Sequence, residues 1–125
     1  MARILVIEDD AHWRLVVTTR LTQAGFEVEE AENGLDGLRA YRARPADVVI
    51  TDIMMPEHDG MEIVKTLKEE SADIKIVAMS AGSPDFDWSS PENLLETAKF
   101  LHVDRALQKP FSKEALYQAV RELLV

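Results

Sequence analysis

The sequence predicts an α/β fold: one doubly wound sheet of five parallel strands with helices on both faces. Two observations predict it. Apolar runs of strand length alternate with segments of helical period, and no repeat, low-complexity tract or linker interrupts the alternation. Strands that are separated by helices do not pair as hairpins, so they form a parallel sheet that the helices cover. We therefore expect a single domain over residues 1–125.

The strands are predicted from short apolar and β-branched runs. They span residues 4–7, 26–31, 48–51, 75–79 and 106–108. The first run is apolar throughout, which favours burial on both faces of the sheet, whereas the second is half polar and is expected nearer an edge.

The helices are predicted from apolar residues at helical spacing. They span residues 11–24, 35–43, 61–70, 92–101 and a last segment that follows Ser112. Asp10 and Ser112 are predicted to cap the first and last helices, and Gly25 is predicted to be left-handed where the first helix ends. The apolar residues expected on the buried stripes include Trp13, Val17, Leu21, Leu35, Leu38, Tyr41, Met61, Val64 and Leu67.

The composition limits the partners. The net charge is −9, and binding to nucleic-acid phosphates needs a basic face, so we expect no nucleic-acid binding by this domain. No apolar run reaches the length of about 18 residues that a membrane span requires. The chain begins without a signal-peptide pattern and contains no cysteine. We expect a cytoplasmic protein that does not contact the membrane.

Polar residues with distinct chemistry follow the predicted strands. They are Glu8 and Asp9 after the first strand, Asp52 after the third, Ser80 after the fourth and Lys109 after the fifth. Ligands of open parallel sheets bind beyond the carboxyl ends of the strands. Clustered carboxylates need protons or a cation, and oxygen ligands without histidine or cysteine favour Mg²⁺. A carboxylate beside Mg²⁺ can attack a phosphoryl donor, with a lysine offsetting the developing charge.

Each of these residues also has an ordinary structural interpretation. Acidic residues at 8–10 suit a helix N-terminus, Asp52 suits a turn, and Ser80 and the Lys109-Pro110 pair suit loops. The functional interpretation is favoured because four weak signals fall on the same edge of one sheet. Asp10 keeps the structural interpretation, as the cap of the first helix.

Four motifs resemble the receiver domain of two-component response regulators. They are ILVIEDD at 4–10, ITDIMMPEHDG at 50–60, VAMSA at 77–81 and KPF at 109–111, and the resemblance covers essentially the whole chain. It implies a flavodoxin-like sheet with strand order 2-1-3-4-5. It also implies that a histidine kinase or histidine phosphotransfer protein donates a phosphoryl group in a Mg²⁺-dependent reaction. Catalysis is then limited to self-phosphotransfer and autodephosphorylation.

The resemblance assigns a role to each residue of the motifs. Asp52 would accept the phosphoryl group, and Lys109 would pair with it. Asp9 and Asp52 would bind Mg²⁺ directly, Glu8 would act through water, and the backbone carbonyl of Met54 would be a further ligand. Ser80 would be the switch hydroxyl. The switched partner would be a downstream protein or a covalent output domain, or a second copy in a phosphorylation-dependent homodimer.

The chain departs from the family pattern in two places. Ala106 lies three residues before Lys109, where the family commonly has an aromatic switch residue. The segment from Ser80 to Lys109 is also longer than the pattern, and the excess lies in a predicted loop at 82–93 that contains Phe86 and Trp88. Either these two rings have a structural role, in which they fill space left by Ala106 or cover the neighbouring helix, or the loop replaces the usual switch or docks a partner.

Two other functions are alternatives. One is a receiver-like interaction module that is never phosphorylated, which the loss of an aromatic at Ala106 leaves open. The other is a Mg²⁺-dependent phosphohydrolase with Asp52 as nucleophile, but this enzyme commonly needs a second carboxylate two residues on, and position 54 is Met. The sequence leaves open whether the chain is a stand-alone receiver or a domain of a longer regulator.

Overall fold

The computed structural model describes residues 2–53, 60–81, 99 and 102–125. In these ranges the chain forms five strands and four helices. In order they are β1 (Arg3–Ile7), α1 (Ala11–Gln23), β2 (Glu27–Ala31), α2 (Gly34–Ala43), β3 (Val48–Asp52), α3 (Gly60–Glu70), β4 (Ile76–Ser80), β5 (Arg105–Gln108) and α4 (Lys113–Leu123). The helix predicted over 92–101 lies outside the described residues, apart from Lys99.

The five strands form one parallel sheet in the order β2-β1-β3-β4-β5. This confirms the predicted fold class and strand order, and each predicted strand lies within one residue of its observed bounds at either end. The ladder is in register at the carboxyl ends, where Ile7 pairs with Thr51 and Ser80 pairs with Gln108. Residues that follow these strands are therefore brought to a common edge.

Side chains of β1 alternate between two hydrophobic cores, as the pleat of a strand requires. Ile4 and Val6 pack with α1 and α4, in a cluster that includes Val17, Leu21, Leu116 and Val120. Leu5 and Ile7 pack on the other face with α2 and α3, in a cluster that includes Leu38, Tyr41, Val64 and Leu67. Helices thus cover both faces of the sheet, and the continuous apolar character of β1 follows from burial on both sides.

Two predicted core residues are exposed. Leu35 is 44% exposed and Met61 is 36% exposed. Successive residues of an α-helix are about 100° apart around the axis, which places both side chains roughly 110° from the middle of the stripe formed by the buried residues. The later residues of the predicted stripes are buried, but the prediction was wrong for the residue in the first turn of α2 and of α3.

The predicted helix ends are confirmed. Asp10 caps α1, and its Oδ1 accepts hydrogen bonds from the backbone N–H groups of His12 at 2.9 Å and Trp13 at 3.2 Å. Ser112 caps α4 in the same way. Gly25 has a φ of +96°, which only glycine adopts without strain. None of the helices among the described residues has the length and apolar character needed to cross a membrane.

Candidate functional site

The carboxyl ends of β1 and β3 place two acidic residues side by side. Glu8 follows β1, and its backbone N–H donates to the carbonyl of Ala31 at 3.0 Å, which fixes it beside the end of β2. Asp52 is the last residue of β3 and lies next to Met79 of β4 in the ladder. Both acidic residues are buried. The parallel direction of the strands accounts for their meeting at one edge.

The ends of β4 and β5 bring a hydroxyl and an ammonium group to the same edge. Ser80 is buried at the end of β4, and the backbone N–H of Lys109 donates to its carbonyl at 2.7 Å. We call Glu8, Asp9, Asp52, Ser80 and Lys109 the carboxyl-edge site. All five were predicted from the sequence, and the fold brings their strand ends together.

The Lys109 ammonium group lies between two buried carboxylates. It donates to Oε1 of Glu8 and to Oδ2 of Asp52, the latter at 2.7 Å. The side chains of Glu8, Asp52 and Lys109 are 0%, 7% and 9% exposed. Charge-assisted hydrogen bonds in such water-poor surroundings are stronger than those between neutral groups. The lysine therefore offsets part of the negative charge at this edge.

Asp9 completes an acidic trio that suits a divalent cation. One oxygen from each of Glu8, Asp9 and Asp52 lies within 4.8 Å of the others, and only Asp9 is exposed. Oε2 of Glu8 is buried and has no hydrogen-bond partner among the described residues. An anionic, all-oxygen group with an unsatisfied buried acceptor fits a hard cation such as Mg²⁺. Met54, the remaining predicted metal ligand, lies outside the described residues.

Burial and neighbouring charges shift the protonation of this site. Burial raises the pKa of Glu8 from 4.5 to about 8; the nearby Asp52 carboxyl adds to the rise, and Lys109 opposes it. Burial alone would lower the pKa of Lys109, but its hydrogen bonds to Asp52 and Glu8 outweigh burial and raise that pKa above its ordinary value. The lysine therefore stays charged. It donates a hydrogen bond to each buried carboxyl group, but its single positive charge can neutralise only one of them.

The structure describes some of the predicted switch residues and not others. Ala106 is buried in β5, pairs with Ala78 of β4, and lies in the core on the α2 and α3 side. A methyl group has no alternative rotamer, so no aromatic ring can swing at this position. Phe86 and Trp88, together with the rest of the 82–93 loop, lie outside the described residues.

Two residues that the sequence did not single out for the site contact it from α1. Trp13, predicted only as a core residue, is half-buried, and its ring centroid lies 5.5 Å from Nζ of Lys109. Nη1 of Arg14 donates to the backbone carbonyl of Glu8 at 2.8 Å. Both residues lie in the helical turn that follows the acidic motif. That position was the available signal, since it places them beside the carboxyl ends of the strands.

Comparison with known proteins defines the class. The family model for the response regulator receiver domain matches residues 4–121. The chain therefore belongs to the response regulator receiver family, as its motifs indicated. Its members are signalling modules of two-component systems.

Individual relatives agree with this assignment. The chain is 32% identical over 123 residues to the transcriptional regulatory protein GlrR of Escherichia coli K12, with 98% of this chain and 26% of GlrR covered. It is 31% identical over 123 residues to the chemotaxis protein CheY of Bacillus subtilis, with 98% and 97% covered. The chain thus spans about a quarter of one relative and nearly all of the other.

A solved structure supports the same fold. The response regulator protein TrrA of Thermotoga maritima, in complex with Mg²⁺ and BeF, superposes with a TM-score of 0.81 at 28% identity, with 98% of this chain and 99% of TrrA covered.

Proposed function

We propose that this chain is a phosphoacceptor receiver in which Asp52 takes a phosphoryl group from a histidine kinase or histidine phosphotransfer protein and thereby switches partner binding. One observation carries the proposal. A buried carboxylate at the carboxyl edge of a parallel sheet is hydrogen-bonded to a buried lysine and lies within reach of two further carboxylates. Nucleophile, charge-neutralising cation and metal ligands are thus assembled at one point.

Asp52 would act as the nucleophile. Its oxygen would form a bond to phosphorus while the bond from phosphorus to the donor's imidazole nitrogen breaks, which leaves neutral histidine after that nitrogen takes a proton. Lys109 already donates to Oδ2 of Asp52 at 2.7 Å. It would hold this carboxylate in place before transfer and would pair with phosphoryl oxygens after it.

The acidic trio would hold Mg²⁺. We propose Asp9, Asp52 and the Met54 carbonyl as direct ligands and Glu8 as a ligand through water. When bound, Mg²⁺ would neutralise charge on the oxygens of the transferring group. The Mg²⁺–BeF complex of TrrA supports this proposal, as does the unsatisfied Oε2 of Glu8 among the described residues of this chain.

The readout would begin at Ser80 and Lys109. Phosphorylation adds about −1.5 to −2 charges at pH 7, which would draw the lysine and the Ser80 hydroxyl toward Asp52. The hydrogen bond from the Lys109 backbone to the Ser80 carbonyl supports a shared response, because movement of one residue displaces the other. Ala106 would transmit no aromatic rotation, so the shift would pass through the β4 and β5 backbones.

The proposal extends to the whole chain and its partners. We propose that residues 1–125 form one receiver domain in the cytoplasm and perform no catalysis beyond their own phosphorylation and dephosphorylation. The output would be a protein partner or a covalent output domain, or a homodimer that forms on phosphorylation. GlrR, of which this chain spans 26%, and CheY, of which it spans 97%, support both arrangements.

Labelling by acetyl phosphate tests the proposal. With Mg²⁺ present, the wild-type chain should gain one phosphoryl group, detected by intact mass, and Asp52→Asn should gain none because an amide is not a competent nucleophile. Asp73→Asn is the matched control, since Asp73 is exposed and distant in sequence from the site motifs. Stoichiometric labelling of Asp52→Asn would overturn the assignment. An unlabelled wild type would favour the phosphorylation-independent module.

A further inference from the structure

The indole ring of Trp13 lies against the Lys109 ammonium group. The distance from Nζ to the ring centroid is 5.5 Å, within the range of about 6 Å over which a cation is attracted to an aromatic face. Trp13 lies in the first turn of α1, where its backbone N–H donates to the capping Oδ1 of Asp10 at 3.2 Å. The helix cap therefore fixes the backbone that carries this ring.

Phe111 also contacts the Trp13 ring. The two ring centroids are 5.4 Å apart with an interplanar angle of 34°. Phe111 is buried, and its carbonyl accepts a hydrogen bond from Nη1 of Arg20 at 3.1 Å. Arg20 belongs to α1, so this bond ties the segment after Lys109 to the same helix that carries Trp13. The position of the indole relative to the lysine is thus determined by contacts on both segments.

The Lys109 ammonium group has two kinds of neighbour. Glu8 and Asp52 accept its hydrogen bonds, whereas Trp13 offers only a ring face. Lysine has a flexible four-carbon stem, and holding it in one place costs rotamer entropy. An aromatic face attracts the ammonium without accepting a directed hydrogen bond, so all donors remain available to oxygen acceptors.

We infer that Trp13 is a positioning residue for Lys109: its ring holds the ammonium over the carboxylates without engaging an N–H group in a directed hydrogen bond, so that these donors can turn from the carboxylates to the phosphoryl oxygens. The inference rests on the proposed phosphoacceptor function. The competing interpretation is that Trp13 only packs against the hydrophobic cluster of α1 and α4, in which it also takes part.

A double-mutant cycle with Lys109 separates the two roles. Trp13→Leu keeps an apolar side chain but removes the ring, and Trp13→Phe restores an aromatic face. The rate of labelling by acetyl phosphate with Mg²⁺ should fall about two- to fivefold in Trp13→Leu, the change expected for a partly exposed cation–π contact. Trp13→Phe should recover most of it. In a Lys109→Met background, Trp13→Leu should cause no further decrease.

Fluorescence gives a readout that does not depend on labelling. The chain has two tryptophans, so Trp88→Phe leaves Trp13 as the sole tryptophan, which can be excited selectively at wavelengths that tyrosine does not absorb. Its emission maximum should shift when Lys109→Met removes the ammonium from the ring, and an unchanged spectrum would show that the contact is absent. Lys65→Met, at an exposed position of α3, is the matched control and should leave the spectrum unchanged.

The outcomes distinguish this inference from the function on which it rests. An unlabelled wild type would overturn the phosphoacceptor function, whatever Trp13 does. A labelled wild type with an equal decrease from Trp13→Leu in both backgrounds would overturn the positioning role, because a merely structural tryptophan acts independently of Lys109. Equal rates for wild type and Trp13→Leu would overturn it as well.

Discussion

The two ends of strand β1 each carry a group of charged residues, and the two groups are built differently. At the amino end, Arg3 is surrounded by carboxylates that remain partly in water. At the carboxyl end, Glu8 and Asp52 are both buried around a single lysine. One strand thus begins in a partly hydrated group with two cations and ends in a buried group with one.

The amino-end cluster consists of Arg3, Glu27, Glu29, Arg44 and Asp47. Arg3 forms ion pairs with Glu29 and, at 3.8 Å, with Glu27, whose side chains are 37% and 40% exposed. Its backbone N–H donates to Oδ2 of Asp47 at 2.7 Å. Arg44 adds a second pair with Glu27 at 3.1 Å. Two cations face three acids that water can reach, an arrangement that joins β1 to β2 and to the start of β3.

The difference supports the proposal that the carboxyl-edge site serves function, whereas the amino-end cluster serves stability. Among the described residues, each end holds one buried atom without a hydrogen-bond partner, Nε of Arg3 and Oε2 of Glu8. An orphaned atom alone therefore does not mark a ligand site. What sets the carboxyl edge apart is that two buried carboxyl groups share one ammonium, an arrangement that costs folding free energy and is expected where a cation or phosphoryl group completes the site.

The largest effect that would test this contrast is expected from Lys109→Met. The change leaves Glu8 and Asp52 buried without a counter-ion, and breaking a buried ion pair typically costs about 3–5 kcal/mol. The free energy of unfolding in urea, measured with EDTA near pH 8, should fall by about this amount. Lys65→Met is the matched control and should change it by less than about 0.5 kcal/mol. A loss no larger than the control's would show that the carboxyl edge carries no unbalanced buried charge.

The pH dependence of stability sharpens the contrast. The pKa of Glu8 rises from 4.5 to about 8 in the folded protein because the residue is buried. The folded state then binds more protons than the unfolded state between these values, so stability is fully present at low pH and is lost as the pH rises toward 8. Without divalent cations, the wild type should lose about 1–3 kcal/mol across this window, and Glu8→Gln should lose much less.

The same urea titrations at several pH values, with EDTA, would measure this slope. Glu29→Gln provides the control at the other end of β1, because its carboxylate is 37% exposed and its replacement should leave the wild-type slope in place. A Glu8→Gln protein with the full wild-type slope would mean that another group at the carboxyl edge takes up the proton.

The fold and most of the site were predictable because they depend on local patterns. Alternating strand and helix periods fix a parallel sheet, and a parallel sheet places every strand end at one edge, so Glu8, Asp52 and Lys109 could be grouped before their contacts were known. The capping residues Asp10 and Ser112 were predictable for the same reason, since a cap acts within three residues of its own position.

The features that were missed depend on packing between elements. The contact of the Trp13 indole with Lys109 depends on packing against Phe111, which is far along the chain. It also depends on the rotamer of Trp13, which the spacing of residues in the sequence does not predict. The exposure of Leu35 and Met61 follows from their angular distance of roughly 110° from the buried stripes, whose centres are set by which residues the sheet covers. Arg14 reaches the Glu8 carbonyl only because α1 starts directly above the strand end.

The smallest effect is expected at the amino end, from Arg3→Met. The substitution removes a cation whose side chain is 11% exposed, but Glu27 and Glu29 can rehydrate, Arg44 still pairs with Glu27, and the backbone bond to Asp47 persists. We expect the free energy of unfolding to fall by about 1–2 kcal/mol, less than for Lys109→Met. Arg39→Met is the matched control, since its side chain is 76% exposed. An equal decrease in the free energy of unfolding for Arg3→Met and Lys109→Met under the same conditions would show that the exposure of the carboxylates to water does not determine how much stability is lost with their cation. The distinction between a structural and a functional end of β1 would then be wrong.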